Sequence, residues 1–186
     1  LRIDLRKPED CAEAVRGIDY VFMCAANTSG ANAIENTPLV HVTPNVIMNT
    51  LMLEAAYSAG VKKYLWLSSN IVYPAADHPV KENEMTSGPP FEKYFPAGWT
   101  KRFGEILCEI YSTKIKKPMT TIIIRPANIY GPHDDFEWET SHVVPALIRK
   151  TVERRDPIEV WGDGNDVKDL IYVDDFVEGI LLAMEK

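Results

Sequence analysis

Two short apolar runs constrain the fold of this chain more than any other feature. Residues 63–67 form one run, and residues 120–125, Thr-Thr-Ile-Ile-Ile-Arg, are β-branched at five successive positions. Runs of this kind are typical of strands that are covered on both faces, as in a parallel sheet. We expect helices over residues 44–60 and 98–114, so strands and helices alternate along the chain. This order predicts a doubly wound α/β fold.

The remaining segments continue the alternation with shorter elements. We expect the end of a strand at residues 1–5, a helix over 8–16, a strand over 19–26, a loop over 77–95, a helix over 143–153, a short strand over 158–161 and a helix over 174–186. Gly60 is placed to end the helix over residues 44–60. With 186 residues, the chain is long enough for one sizeable core.

Charge and cysteine content argue against several classes of function. The net charge of -7 is unlike that of a protein that neutralises nucleic-acid or lipid phosphates, and the basic residues at 149–155 are interpreted as a solvated helix face. Cys11, Cys24 and Cys108 lack metal-ligand spacing, and we expect reduced thiols, the last two in apolar surroundings. No apolar run is long enough to span a membrane, and no signal peptide begins the chain. We therefore expect a cytoplasmic protein without a metal, nucleic acid or membrane as partner.

Ser69 and Lys101 are the first candidate site residues. Ser69 follows the predicted strand at 63–67, and ligands in open α/β sheets bind beyond the carboxyl ends of the strands. The stretch Ser-Ser-Asn-Ile-Val-Tyr-Pro at 68–74, followed by Ala-Gly-Trp-Thr-Lys-Arg at 97–102, resembles the active site of the extended short-chain dehydrogenase/reductases. The resemblance implies that Ser69 hydrogen-bonds the reacting sugar hydroxyl or carbonyl, and that Lys101 binds the nicotinamide ribose hydroxyls.

One part of that active site is missing. The family places a Tyr four residues before the Lys, so that the ammonium lowers the pKa of the phenol, and here Ala97 stands at that position. Tyr94 lies two helical turns before Lys101, and we expect Phe95-Pro96 to keep the helix from reaching it. Three possibilities remain open: water or Ser69 takes the role, a different chemistry is run, or the site only binds.

A second resemblance covers the rest of the chain. Residues 125–136, 141–149, 161–164 and 168–175 are similar to the corresponding regions of GDP-L-fucose synthases. The resemblance implies that Pro126 and Ala127 face the nicotinamide and that Asn128 contacts the sugar nucleotide. It implies that His142 is the acid of an epimerisation and that Trp161 packs against or stacks on the nucleotide. Lys168 would be the cation that binds the nucleotide diphosphate.

Three departures from these relatives bear on the chemistry. Ile71 stands where fucose synthases have a Cys base, and it cannot take a proton. Lys168 replaces an Arg, which keeps the charge but loses the bidentate fork. Asn70 and Ile71 stand where dehydratases of the superfamily have an Asp-Glu pair, which disfavours elimination of water.

The first part of the chain carries weaker cofactor signals. The resemblance implies that Asp4-Leu5 contacts adenine, that Cys24-Ala25-Ala26 lets the cofactor lie against the backbone, and that Asn45 begins the helix behind the active site. The Gly-rich turn that holds the pyrophosphate is not found in the sequence, nor is the family's remaining substrate domain. We therefore expect an internal fragment, with residues 1–132 as a partial NAD(P)-binding Rossmann domain and residues 133–186 as the start of a smaller substrate domain whose last helix returns to the first.

These observations lead to one main hypothesis and two rivals. The main hypothesis is an NAD- or NADP-dependent sugar-nucleotide epimerase or reductase with an incomplete Rossmann-like doubly wound parallel sheet, acting as a homodimer when full length. The first rival is a dinucleotide or sugar-nucleotide binding protein that has lost turnover, which Ala97 and Ile71 favour. The second rival is a scaffold that uses only the dimerising helices of the fold.

Overall fold

A computed structural model describes residues 2–28, 37, 39–160, 162–165 and 167–186. Five strands and five α-helices alternate along this part of the chain. In order they are α1 (Pro8–Ala14), β1 (Tyr20–Met23), α2 (Leu39–Ser58), β2 (Lys63–Leu67), α3 (Phe95–Glu109), β3 (Thr120–Ile124), β4 (Asn128–Tyr130), α4 (Val143–Val152), β5 (Leu170–Tyr172) and α5 (Val173–Glu185). Short 3-10 helices lie at Asn70–Val72, Glu82–Thr86 and Glu92–Tyr94, and a π-helical turn at Ile110–Lys114 follows α3.

The central sheet is parallel, in the order β1-β2-β3. Tyr20 pairs with Lys63, and Lys63 pairs with Thr120, so the three strands start level and their carboxyl ends lie at one edge. A second parallel pair, β4 and β5, follows with Asn128 opposite Leu170. The chain segments that leave β1, β2 and β3 therefore emerge side by side, which is where the predicted site residues occur.

Helices cover both faces of the central sheet. Alternate residues of β2 point to opposite faces, as the pleat of a strand requires. Tyr64 and Trp66 pack with residues of α1, α2 and α3 in one buried cluster. Leu65 packs on the other face with Phe176 and Ile180 of α5. The doubly wound α/β fold predicted from the sequence is confirmed, and α5 packs on the sheet formed by the first part of the chain.

Two helices start earlier than predicted, and both contain a Pro near the start. Helix α2 begins at Leu39 instead of residue 44. Pro44 has no N–H for the carbonyl of Val40, and the Asn27 side chain donates to that carbonyl at 2.9 Å instead. Helix α3 begins at Phe95 instead of residue 98, because Pro96 occupies a first-turn position where a missing N–H costs nothing.

Other predicted boundaries also differ from the structure. Residues 158–160 of the predicted strand 158–161 are not in a strand, and residues 2–4 are in no regular element. The predicted loop over 77–95 holds two 3-10 helices and the first residue of α3. Cys24 is exposed, whereas Cys11 and Cys108 are buried, so apolar surroundings were wrongly predicted for Cys24. Among the described residues, no helix is both long enough and apolar enough to cross a bilayer.

Candidate active site

A cleft of about 1180 Å³ opens at the carboxyl ends of the parallel strands. Its walls come from the segments after β1, β2 and β3, the start of α3, the start of α4 and residues 167–169. Eight of the predicted site residues line it, namely Ala26, Asn45, Ser69, Lys101, Ala127, Asn128, His142 and Lys168. The cleft is not lined by Asp4, Leu5, Cys24, Ala25 or Pro126. Trp161 lies outside the described residues.

Ser69 caps the 3-10 helix Asn70–Val72, directly after β2. Its backbone is extended, and its hydroxyl oxygen accepts from the Ile71 N–H at 3.3 Å. The hydroxyl donates to the amide oxygen of Asn70 at 3.3 Å. The cap therefore turns the chain into the cleft wall, and the partners of the Ser69 hydroxyl are neutral groups.

Lys101 reaches from α3 to the end of β2. Its ammonium donates to the Leu67 carbonyl at 2.7 Å and lies 4.9 Å from the centroid of the Trp66 ring. Burial disfavours the charged form and lowers the pKa of Lys101 to about 8, while the negative charge of Glu105 opposes this shift. The cleft thus contains an amine that exchanges its proton at slightly basic pH.

A buried ion pair lies beneath the Ser69 segment. Arg125, which follows β3, donates to both carboxylate oxygens of Glu105, with Nε–Oε1 at 2.9 Å and Nη2–Oε2 at 2.6 Å. The two side chains are 16% and 4% exposed, and the Ser68 hydroxyl donates to the same carboxylate. The hydrogen bonds that Arg125 donates to Glu105 and Tyr73 raise the pKa of Arg125 above its usual range. This network ties α3 to the ends of β2 and β3.

Two further contacts hold the first turns of α3 against the Ser69 segment. Buried Arg102 donates from Nε to the Val72 carbonyl at 2.7 Å. Gly98 packs so closely that an added Cβ would stand 2.7 Å from the Ile71 carbonyl oxygen and 2.5 Å from Cβ of Pro90. The first turn of α3 is therefore held to the Ser69 segment by close backbone packing as well as by hydrogen bonds. A larger residue at position 98 would push these two segments apart.

Three alanines are among the residues that line the cleft, and we refer to them together as the slot. Ala26, Ala97 and Ala127 come from three different segments, and all line the cleft. Asn45 is buried in α2, beyond the start of that helix, and its amide is used on the backbone of Asn27: its Oδ1 accepts from the N–H at 2.8 Å and its Nδ2 donates to the carbonyl at 2.9 Å. Asn45 thus positions the segment after β1, and the slot suits a flat ring lying against backbone.

Three further residues of the cleft lining are exposed, namely Asn128, His142 and Lys168. Asn128 begins β4, and its backbone N–H and side-chain amide both donate to the Asp169 carbonyl, at 3.1 Å and 2.9 Å, which holds the residue next to Lys168. His142 is the residue before α4, and its side chain makes no capping hydrogen bond there. These three residues therefore add polar groups to the cleft that Ser69 and Lys101 also line.

Asp4 has a local role that the sequence did not predict. Its carboxylate accepts from Arg6 at 2.8 Å through both Nε and Nη2, and these hydrogen bonds lower the pKa of Asp4 to about 2. Its own N–H donates to Asp10 at 2.7 Å. The residue after it, Leu5, packs against the core cluster. Asp4 therefore stays charged at neutral pH and ties the start of the chain to α1.

Sequence reasoning missed Glu105, Arg125 and Asn27. A signal for Glu105 was present, because it stands four residues after Lys101 and so shares the face of α3 that meets the sheet. An acidic residue on an inward face indicates a buried partner. No comparable periodicity marks Arg125 or Asn27, whose roles depend on contacts between segments distant in sequence.

The layers, the parallel register and the cleft beyond the strand ends define a Rossmann-like α/β protein. The chain belongs to the NAD dependent epimerase/dehydratase family, which residues 1–186 match over their whole length. The GDP-L-fucose synthase of Escherichia coli strain K12 is 31% identical over 188 residues, covering 98% of this chain and 58% of that protein. The GDP-mannose 3,5-epimerase of Arabidopsis thaliana is 30% identical over 185 residues, covering 96% of this chain and 48% of that protein.

A solved structure shows the same architecture. The GDP-L-fucose synthetase from Naegleria fowleri bound to NADP matches with a TM-score of 0.86 and 28% identity, over 97% of this chain and 61% of that one. The resemblance to GDP-L-fucose synthases expected from the sequence is confirmed. The chain spans about half the length of the curated relatives that it matches.

Proposed function

We propose that the protein is an NAD- or NADP-dependent epimerase or reductase that acts on a GDP-sugar. The observation that carries this proposal is the single cleft that brings together Ser69, Lys101, Asn128, His142 and Lys168. These residues come from distant parts of the sequence. Their side chains supply the hydrogen-bonding and cationic groups that would bind the hydroxyls and phosphates of a sugar nucleotide and a nicotinamide dinucleotide. The names of the relatives favour a GDP-sugar over other sugar nucleotides.

The protein side of the chemistry is divided among residues from separate segments of the cleft. Ser69 hydrogen-bonds the carbonyl or hydroxyl of the sugar, and His142, which also lines the cleft, acts as the acid of an epimerisation. Lys168 binds the nucleotide diphosphate as a point charge. Asn128 still has its amide oxygen available to accept from the sugar nucleotide, because only its nitrogen is used on Asp169.

The residues fit a nicotinamide dinucleotide at this edge of the sheet. The slot of Ala26, Ala97 and Ala127 leaves room for a ring against the backbone, and Lys101 presents its ammonium beside it. Lys101 is the proposed contact of the ribose hydroxyls, and Ala127 is the proposed contact of the ring, with Pro126 next to it in sequence but outside the cleft lining. Cys24 and Ala25 precede Ala26 in the segment after β1, and Asp4-Leu5 is the proposed adenine contact, although none of these four residues lines the cleft. When bound, the dinucleotide supplies or removes a hydride.

One observation favours a second candidate, a binding protein without turnover. Ala97 lines the cleft at the family's Tyr position and offers only a methyl group, and Ile71 lines it at the position of a Cys base. Neither side chain can exchange a proton. This candidate predicts tight binding of sugar nucleotide and dinucleotide with no product formed over extended incubation.

The outer face of α3 supports the proposed homodimer. Five large apolar residues spaced three or four positions apart are between 37% and 49% exposed, namely Phe95, Trp99, Phe103, Ile106 and Ile110. Exposed apolar stripes of this kind mark association surfaces. A second copy of the same chain presents an identical stripe, which a twofold interface requires.

Lys168 offers a test of the proposed substrate site in the full-length protein. We expect Lys168→Ala to weaken GDP-sugar binding about tenfold while NADP affinity stays within about twofold, because the lost charge contacts only the diphosphate of the sugar nucleotide. Lys168→Arg is the matched control and should retain or improve binding, since it keeps the charge and restores the fork. Calorimetric titration measures both ligands, and equal losses for the two would remove Lys168 from the substrate site.

A further inference from the structure

The start of α3 presents a tyrosine to the cleft that the sequence pattern had set aside. Helix α3 begins at Phe95, so Tyr94 is the residue that caps it. Tyr94, Ala97 and Lys101 are three and four positions apart, a spacing that places side chains along one face of a helix. All three line the cleft. A phenol therefore occurs on the same stripe as Lys101, beyond the methyl group of Ala97.

Two tyrosines line the cleft, and their hydroxyl groups differ in availability. The Tyr73 hydroxyl accepts from Nη1 of Arg125 at 2.8 Å, and that guanidinium is itself held by Glu105. The Tyr94 hydroxyl has no hydrogen-bond partner within the part of the chain that the structure describes. Its ring is half-buried and lies edge-on to Phe91, with centroids 6.0 Å apart. The ring is thus anchored while its hydroxyl is free to meet a ligand.

The position of Tyr94 is fixed relative to Ser69. The close approach of Gly98 to the Ile71 carbonyl holds the first turn of α3 against the Ser69 segment. The Tyr94 N–H also donates to the Phe91 carbonyl at 2.8 Å, which ties the residue before the helix to its own approach segment. Tyr94 and Ser69 therefore face the same space from two mutually fixed elements.

We propose that Tyr94 supplies the phenol that Ala97 lacks and protonates the reacting oxygen of the sugar. This assignment rests on the proposed function. When the carbonyl carbon of a ketosugar accepts a hydride from a reduced nicotinamide dinucleotide, its oxygen becomes an alkoxide. The proton on Oη of Tyr94 moves to that oxygen, which leaves a hydroxyl on the sugar and a phenolate on Tyr94. Water returns a proton to the phenolate, and Ser69 holds the oxygen throughout.

Turnover in the full-length protein gives the first readout. We expect Tyr94→Phe to lower kcat about a hundredfold, in the range that general acid catalysis supplies, with KM changed far less. Tyr57→Phe is the matched control, because Tyr57 packs against Tyr111 at the far end of α2 and makes no contribution to the cleft lining. Ala97→Tyr introduced into the Tyr94→Phe variant should recover at least about tenfold, since it restores a phenol one turn before Lys101.

Binding gives a second readout that needs no turnover. GDP-fucose carries the sugar hydroxyl that Tyr94 contacts, whereas GDP lacks the sugar. We expect Tyr94→Phe to weaken GDP-fucose about fivefold by calorimetry and to leave GDP unchanged, as the loss of one hydrogen bond predicts.

The outcomes separate this assignment from the proposed function. A Tyr94→Phe variant that matches Tyr57→Phe in both turnover and GDP-fucose affinity would overturn the assignment while leaving the proposed function intact. Collapse of turnover in Tyr73→Phe alone would also overturn it, because the acid would then be the phenol beside Arg125. A wild-type protein that binds neither GDP-fucose nor NADP would overturn the proposed function and the assignment together.

Discussion

The two faces of α3 differ from those of an ordinary surface helix, because charged side chains lie on the inner face beside its apolar core contacts. The inner face carries Lys101, Arg102 and Glu105, all in contact with the ends of β2 and β3 or the segments that follow them. The outer face carries the apolar stripe of Phe95, Trp99, Phe103, Ile106 and Ile110. Ordinary surface helices bury the apolar face and expose the charged one. The inner face therefore contributes to the candidate site, and the outer face is the surface at which we propose that a second copy associates.

We expect substitutions on the inner face of α3 to lower the free energy of unfolding more than substitutions on the outer face. The largest loss should come from Glu105. Glu105→Ala leaves the partly buried Arg125 guanidinium without its carboxylate, and we expect a loss of about 3 kcal/mol in the free energy of unfolding, because Arg125 keeps its bonds to Tyr73 and the Glu82 carbonyl. Glu109→Ala on the same helix removes an exposed carboxylate 3.4 Å from Lys114, and its loss should stay under about 1 kcal/mol. Urea denaturation of both variants measures the contrast.

A double replacement sharpens this prediction. Glu105→Leu combined with Arg125→Met removes both charges, and it should recover most of the stability lost in Glu105→Ala because no unpaired charge remains. A double variant as unstable as the single one would show that the cost comes from packing and not from the stranded charge.

Lys101 makes the inner face sensitive to pH. Its pKa of about 8 in the folded protein lies below its ordinary value of 10.5, so the unfolded chain binds more protons between these values. Stability therefore carries a full penalty below about pH 8, which is lifted as pH rises towards 10.5. We expect the stability advantage of Lys101→Met over the wild type to shrink by about 2 kcal/mol between about pH 7 and about pH 10.

Lys114→Met is the control for this pH dependence, because the Lys114 side chain is exposed. Its stability difference from the wild type should be nearly constant over the same range. Urea denaturation at several pH values gives the profile, and a flat profile for Lys101→Met would mean that the ammonium is fully solvated in the folded protein.

The outer face should matter for association more than for folding. Phe103→Ser should raise the dissociation constant of the dimer at least about tenfold, or about 1.4 kcal/mol. The unfolding free energy of the monomer should change by less than about 1 kcal/mol, since the side chain is already half exposed. Ile148→Ser on α4, at 45% exposure, is the matched control and should leave the dimer intact. Analytical ultracentrifugation distinguishes these outcomes. Equal effects of both variants would show that the stripe is not the dimer interface.

The α/β layers were predictable because their signal is local. The β-branched run at Thr120–Ile124 and the run at Lys63–Leu67 are strands in the structure, and the parallel order follows from the helices between them. The starts of α2 and α3 were not predictable, because Pro44 and Pro96 look like helix breakers in the sequence. Their tolerance depends on Asn27 in one case and on a first-turn position in the other.

The candidate site was predictable only where a motif marked it. Ser69 and Lys101 lie in the cleft as the motif implied, together with His142 and Lys168. Glu105 was missed although its spacing from Lys101 marked it, and Arg125 was missed because its pairing with Glu105 joins α3 to a segment 20 residues later. Tyr94 was discounted because it lies two helical turns before Lys101 and because Phe95-Pro96 was expected to end the helix before it, whereas the helix starts at Phe95 and Tyr94 lines the cleft.

Hydride transfer to the sugar is the central claim, and isotope transfer tests it most directly. The full-length protein is incubated with a GDP-ketosugar and reduced NADP that carries deuterium at the transferable position. Mass spectrometry and NMR of the sugar nucleotide then locate the label. We expect deuterium on the carbon that bears the new hydroxyl group, at a rate that falls in Tyr94→Phe and not in Tyr57→Phe. Tight binding of both ligands with no deuterium in the sugar would contradict it, and would identify the protein as the binding rival instead.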